Sequence, residues 1–596
     1  MKKRKELEEE YKWDLSNYFP SSKEWEEEFE EIKKMSGSFK RFEGKLNERN
    51  SILECLKQES DLSKRMDILL VWAELKGRED ATSSENEERI NKVSSLATML
   101  SVETSFIEVE ISDNDENFLI SLSKDIDFSD FNIMLTEIIR FKPHILTKEE
   151  EIIVSQTKEF ASEFSNVFSK FNDADLKFDK VKDGYGKEYE LDHSNYMDFC
   201  ESEDRILRKN AFVSMNNAYK KYNNTLSANY IASIKKNSCY AKLSKFSSAI
   251  EKSIFIEHAS LKVYDTLIES VNKNLGVFHK YFDLKRKALG YKNYAIWDNF
   301  ASLSSSCNLQ LEFSEAIELI KKACSPLGNE YIDLIDKAVK EKWFDYGINE
   351  GKDSGAFSWG AYGKHPVILL SYQKNTNSVY TLAHEIGHSI HSYLSNHNLP
   401  YEKAGYEIFV AEVASNVNEM LLTKYLLSIA KEDKEKIFLY DKFLSEFRGS
   451  VFRQTMFAEF EQFAHNQYEN NLPISSAVLN EKYMELNKQY FGKKVELLDE
   501  IAYEWSRIPH FYNAFYVYKY STGLICAIAL SKGLLEGGEK EKTAYIKFLS
   551  SGRTKPPVEL LKEAGANLEE NKTFDDAFAF AKDIIENWEK LGINYN

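Results

Sequence analysis

The sequence has 596 residues, with 78 Lys and Arg against 96 Asp and Glu, for a formal charge of −18. Its 24 Gly and 9 Pro compare with about 40 and 30 at average usage, and no proline lies between Pro143 and Pro326. A sandwich or barrel needs many Gly/Pro turns, so all-β folds are excluded and a mostly α chain is expected. The acidity leaves no basic footprint for DNA or RNA, and no apolar run reaches the roughly 18 residues of a membrane span.

The first residues, MKKRKELEEEYKWDL, turn acidic after a basic start and lack the apolar stretch of a secretory signal. Cys55, Cys200, Cys239, Cys307, Cys324 and Cys526 stand singly, with no CxxC pair. They read as reduced, buried thiols of a cytoplasmic protein. In NYFPSSKEWEEEFEEI, Ser21 and Glu24 fit a capping box, and Trp25, Phe29 and Ile32 follow at helical spacing. Thr147 and Glu150 fit a second box, after which Ile153, Phe160, Phe164 and Val167 make one apolar stripe opposite a solvated face. Leu176–His193 alternates around Asp183-Gly184 and predicts a β-hairpin. A boundary placed just after it divides the chain into a helical region, 1–194, and a larger body, 195–596.

Gly351, Gly355, Gly360 and Gly363 precede the apolar run Val367–Leu370 and predict a second hairpin. Without GxxxxGK[ST] this is no phosphate loop. Directly after it comes NTNSVYTLAHEIGHSIHSYL. Val379, Leu382, Ala383, Ile386, Ile390 and Tyr393 form an apolar helical stripe, while His384 and His388 lie four apart on another face. Residues at i and i+4 sit about 5–6 Å apart at Cβ, so two imidazoles can converge on one Zn²⁺. Glu385, offset about 100° around the helix, can reach a water held at that ion and take its proton. Chance supplies roughly 0.02 such HExxH matches in a chain of this composition.

A catalytic zinc needs a third ligand and an open position. His391 shares the helical face but lies about 10 Å of axial rise from His384, too far for one ion on an unbroken helix. It reads as a residue supporting the site or as part of the polar face. Beyond Pro400, YEIFVAEVASNVNEMLLTKYLL begins a second helical pattern with Glu412, Asn416 and Glu419 at i, i+4 and i+7. A helix antiparallel to the first would set Glu412 opposite the two histidines as ligand, with Glu419 orienting one of them. The competing reading is a solvated acidic stripe. Downstream, in EWSRIPHFYNAFYVYKYSTGL, Tyr512, Tyr516 and Tyr520 fall at i, i+4 and i+8 after Pro509. They fit either an aromatic core face or, with His510, donors to an oxyanion.

HEIGH, GYEIFVAEVASNVNE and RIPHFYNAFYVYKYSTG together resemble the oligoendopeptidase F branch of the thimet-oligopeptidase-like zinc metallopeptidases. YKWDLSNYFPSSKEW, GAFSWG and FLSSGRTKPPVELLKEAGANL extend the resemblance over essentially the whole chain. It implies a large helical, bowl- or clam-like zincin with a deep central channel and small β-hairpins beside the zinc helix. It also implies one Zn²⁺ on His384, His388 and Glu412, with Glu385 as general base and acid. The implied activity is cytoplasmic cleavage of internal bonds in short unstructured peptides, and the GAFSWG strand offers backbone hydrogen bonds to an extended substrate. More distant relatives carry a His and three Tyr for the oxyanion. Here Tyr512 and Tyr516 match without gaps and Lys519 occupies the gapless third place; Tyr520, which continues the helical face, or else Tyr518 is the third tyrosine, and His510 is the histidine, closer to the first tyrosine than in those relatives. A carboxypeptidase or dipeptidyl carboxypeptidase would need a cation for the terminal carboxylate, for which Arg507 and Lys519 are the candidates. A peptide-binding protein with a structural zinc would not need the base Glu385.

Overall fold

The computed structural model describes residues 2–301, 303 and 309–592; Cys307 lies outside them. The chain is overwhelmingly helical, with short strands only. It divides into two compact units, each discontinuous in sequence. The first comprises Met1–Pro143, Leu309–Tyr425 and Leu530–Gly565; the second comprises His144–Asn308, Leu426–Ala529 and Ala566–Asn596. The expected boundary near residue 195 falls inside the second unit, because each unit is assembled from three separate stretches rather than one run of chain.

In the first unit, helix Ser22–Lys34 is capped by Ser21, whose hydroxyl accepts from Lys23 N–H at 3.1 Å and pairs with Glu24. It buries Trp25, Phe29 and Ile32. Trp25 packs on the Trp72 ring at 6.2 Å and donates its indole N–H to the Leu69 carbonyl at 2.9 Å, both on the long helix Arg49–Glu79. This core continues into Ala361, Val367 and Leu369. Strand Val367–Leu369 pairs antiparallel with Phe357–Trp359, and on its other side runs parallel to Phe344–Asp345. The Gly351–Tyr372 hairpin is thus two strands of a three-stranded sheet whose third strand has no alternation to announce it. Gly360 permits the tight return, since a Cβ there would lie 2.9 Å from Pro366 Cα.

In the second unit, strands Val181–Lys182 and Glu188–Tyr189 form the first hairpin, with Val181 opposite Tyr189. The turn is longer than the two residues Asp183-Gly184: Gly186 carries the positive φ, and Asp183 Oδ1 accepts from the N–H groups of Tyr185 and Lys187. Thr147 and Glu150 complete their capping box on helix Lys148–Lys170. The stripe of that helix is not buried, however. Ile153, Phe160 and Val167 are exposed, and the contacts to the core come from Ala161 and Phe168. Among the described cysteines all are free; Cys55, Cys200, Cys324 and Cys526 are buried, whereas Cys239 is exposed. No helix among the described residues is long and apolar enough to cross a membrane.

Candidate metal centre

Helix Thr376–Asn398 starts where the Asn375 side chain accepts from Ser378 N–H at 2.8 Å. Its apolar stripe is buried, which leaves His384 and His388 on a partly open face. Helix Ile408–Ile429, which belongs to the first unit as far as Tyr425, runs antiparallel to it, with Asn418 by Ala383, Ser415 by Gly387 and Glu412 by His388. Two features hold the pair together. Gly387 has no Cβ, and one built there would meet the Ala414 carbonyl oxygen and Ser415 Cα at 2.7 Å. Asn418, fully buried, donates to the Ala383 carbonyl at 3.0 Å while its Oδ1 accepts from Tyr331 at 2.9 Å.

The result is a triangle of donor atoms. His384 Nε2 and His388 Nε2 are 3.2 Å apart, and Glu412 Oε2 lies 3.4 Å from the first and 3.6 Å from the second. Metal–ligand bonds of about 2.0–2.1 Å at tetrahedral angles put donors about 3.3–3.4 Å apart, so these three atoms match three corners of a zinc tetrahedron. Among the described residues this is the one such group of His, Cys, Asp or Glu. His384 Nδ1 faces Glu419 Oε1 at 2.8 Å, which directs the ring's other nitrogen toward the triangle. Ser415 donates to Glu412 Oε2 at 3.2 Å.

The electrostatics follow from burial and these pairs. Burial opposes a charge on His384, but Glu412 and Glu419 outweigh it and raise its pKa to about 11. His388, buried beside that cation, is pushed down to about 4. The hydrogen bond from His384 holds Glu412 down at about 2, against burial. Glu385 is 6% exposed, and burial lifts its carboxyl to about 7, opposed by His384. The backbone N–H of Ser358, on strand Phe357–Trp359, faces that carboxyl. Ser358 Oγ also contacts Ser389 Oγ at 2.7 Å, which fastens the strand to the histidine helix.

His391 is not one of the three donors, and it is not on a polar face either. It is 1% exposed, stacked on Tyr406 at 3.8 Å, and burial lowers its pKa to about 3. Gly387 and Asn418, which set the helix spacing, were not singled out from sequence. Only the glycine inside HEIGH offered a signal for them.

The tyrosine region belongs to the second unit. The three tyrosines do not share one helix face, because the helix begins at Tyr518 and Pro509–Tyr512 is a separate short turn. Phe515, between them, has φ +57°. Its N–H donates to the fully buried Glu461 Oε1 at 2.9 Å. That bond holds a bulky residue in a region it rarely adopts. Past this bend, Tyr516 and Tyr520 pack at 5.5 Å, and His510 lies 6.2 Å and 5.8 Å from their rings. His510 Nε2 and Tyr520 Oη approach to 3.4 Å. Tyr512 is instead stacked on Phe168 at 5.0 Å and accepts from Asn229 at 3.0 Å. Tyr518 is buried against Tyr264. Arg507 is paired with Glu504 at 3.1 Å, and Lys519 with Glu257.

Known proteins resemble this chain in sequence and in fold. Residues 199–580 match the model of Peptidase family M3, and residues 110–178 match Oligopeptidase F. The oligopeptidase PepF of Bacillus subtilis is 35% identical over 99% of this chain and 88% of its own length. The group B oligopeptidase PepB of Streptococcus agalactiae is 33% identical over 98% and 97%. A crystal structure from Chlamydophila abortus superposes with a TM-score of 0.95 at 30% identity, covering 99% of this chain and all of that one (100%). Oligoendopeptidase F of Enterococcus faecium gives 0.71 at 29% identity, over 95% and 97%. The chain belongs to peptidase family M3, in its oligoendopeptidase F branch, and is a metallopeptidase.

Proposed function

We propose that the protein is a zinc endopeptidase that hydrolyses internal bonds of short unstructured peptides. The observation that carries this reading is the donor triangle of His384, His388 and Glu412, whose 3.2–3.6 Å edges suit zinc. Zinc held there supplies a Lewis acid that polarises the scissile carbonyl and makes water a nucleophile near neutral pH. Glu385, beside His384, takes the proton of the attacking water and returns it to the leaving amine. Glu419 fixes the orientation of the His384 ring. Strand Phe357–Trp359 is the edge of its sheet, and an extended peptide adds to it through backbone hydrogen bonds.

We assign oxyanion donation to His510, Tyr516 and Tyr520, supported by their mutual packing in the second unit. Tyr512, tied to Asn229 and Phe168, is the weaker member of the set, and the buried Tyr518 drops out. Cleavage of internal rather than C-terminal bonds is supported by the pairing of Arg507 and Lys519 with Glu504 and Glu257, since neither cation is spare for a terminal carboxylate. The free thiols fit a cytoplasmic protein.

The test uses an internally quenched peptide with an amidated C-terminus, together with metal analysis of the purified protein. Cleavage should occur at internal bonds, stop with chelator and return with Zn²⁺. Glu385→Gln should keep the metal and lose at least 10³-fold in kcat. Full activity in that variant, or no cleavage of the blocked peptide, would refute the reading.

A further inference from the structure

A cavity of about 410 Å³ opens in the first unit, and none of the residues of the metal centre lines it. That volume is in the range of small-ligand pockets. Helix Arg49–Glu79 supplies Glu59, Ser60 and Asp67 to the wall, while Glu402 and Arg553 come from distant stretches of the same unit.

Among the described residues Glu59 and Glu402 accept no hydrogen bond and join no ion pair, and Glu402 Oε1 is shut off from water without a partner. The Arg553 guanidinium also has no carboxylate partner, although it shares the cavity with three of them. Asp67 accepts only from Tyr401 Oη, at 2.9 Å. Ser60 is 8% exposed and lines the same space, with its hydroxyl unpartnered among the described residues. Burial, with Glu402 and Glu108 nearby, lifts the Glu59 carboxyl to about 7, and burial raises Asp67 as well. Half-buried carboxylates without a cationic partner are disfavoured as anions, and a ligand that brings the counter-charge would relieve that cost.

The backbone of Arg553 is held in place, while its side chain is exposed at the cavity mouth. Its backbone N–H donates to the Lys403 carbonyl at 2.9 Å, and its Nη2 lies 2.8 Å from where a Cβ on Gly405 would stand. Gly405 therefore provides the bare backbone on which the guanidinium rests. One cation suits one carboxylate, preferably in bidentate contact. Three carboxylates suit two cations. Leu56, Phe131 and Met134 make an apolar stretch in the same lining, fit for an alkyl stem.

We propose that this cavity binds a free basic amino acid, lysine or arginine. The α-carboxylate pairs with Arg553, the α-ammonium and side-chain cation pair with the acidic wall, and the alkyl stem lies along the apolar residues. The site is separate from the reading of the metal centre and does not depend on it.

The test is equilibrium dialysis of the full chain with labelled L-lysine, alongside thermal unfolding. We expect saturable binding near one equivalent with a rise in Tm, and no comparable binding of L-leucine. Glu59→Gln and Glu402→Gln should each weaken lysine at least 10-fold. Arg553→Gln should weaken lysine at least 10-fold while leaving cadaverine, which lacks the carboxylate, unchanged. His388→Ala, altered only at the metal centre, should bind lysine like the wild type. Absence of saturable binding, or binding indifferent to both Glu59→Gln and Arg553→Gln, overturns the proposal. So does loss of binding in His388→Ala with Glu59→Gln unaffected, which would move the ligand to the metal centre.

Discussion

Gly387 and Ser415 touch backbone to backbone: a Cβ on the glycine would sit 2.7 Å from Ser415 Cα. That contact sets the spacing of the two helices whose side chains make the donor triangle. In an exposed helix, Gly→Ala gains about 1 kcal/mol of helix propensity. Here the added methyl meets backbone on both Ala414 and Ser415, which cannot move aside alone. Gly387→Ala should therefore lower stability and weaken zinc at least 10-fold, as read by competition with a chelating dye. Wild-type zinc affinity in that variant would show that the helices separate without disturbing the ligands.

Glu419 reaches the donor triangle through His384, by the 2.8 Å contact to Nδ1, and under the proposed zinc reading it would act on the metal through that ring. Removing such a partner typically costs 10–100-fold in metal affinity. Glu419→Ala should show that loss with helicity unchanged by circular dichroism, and Glu419→Gln should recover part of it. Equal zinc binding by all three proteins would assign Glu419 to the solvated stripe instead.

Trp25 is 1% exposed, packed on Phe29 and Trp72, with its indole N–H bonded. Trp25→Ala should destabilise by about 3–5 kcal/mol, measured as a fall in the urea midpoint. A change below about 1 kcal/mol would mean that this core relaxes into the space.

Glu461 carries a pH signature. Burial lifts its pKa to about 8 in the folded protein, opposed by the Phe515 N–H, whereas an unfolded Glu titrates near 4.3. Between those values the folded state holds the extra proton. Stability from this group is full below the unfolded pKa and falls as pH rises, by about 1.4 kcal/mol per unit, until the folded pKa is passed. His465 next to it is lowered to about 4 by burial, so its opposite contribution is complete above about pH 6.5. From there to about pH 8, Glu461→Gln should flatten the decline while still accepting from Phe515. An identical pH slope in wild type and variant would show that Glu461 ionises freely.

The histidine pair was legible because HExxH lies within one helix, where spacing alone fixes neighbours. Glu412 and Glu419 were legible as a stripe, but the partner of the stripe was not. The tyrosine pattern was misread as a single helix face because nothing in NAFYVYKY marks Phe515 as the residue with φ +57°. A buried carboxylate fifty-four residues upstream in sequence imposes that bend. Likewise, Ile153, Phe160 and Val167 have core-like spacing yet lie exposed, since periodicity names a face and not what covers it.

Scarce Gly and Pro, helical periodicity and the acidic balance determined a mostly α chain by themselves, because these depend on local backbone preference and composition. Spacing within one helix likewise determined that His384 and His388 are neighbours. What only the tertiary structure decided was which donors meet, how closely the helices approach at Gly387, and which charges are left unpaired around the Glu59 and Arg553 cavity. Each depends on contacts between different segments, from Gly387 and Ser415 on neighbouring helices to Glu59 and Arg553 near opposite ends of the chain, and local sequence carries no record of those distances.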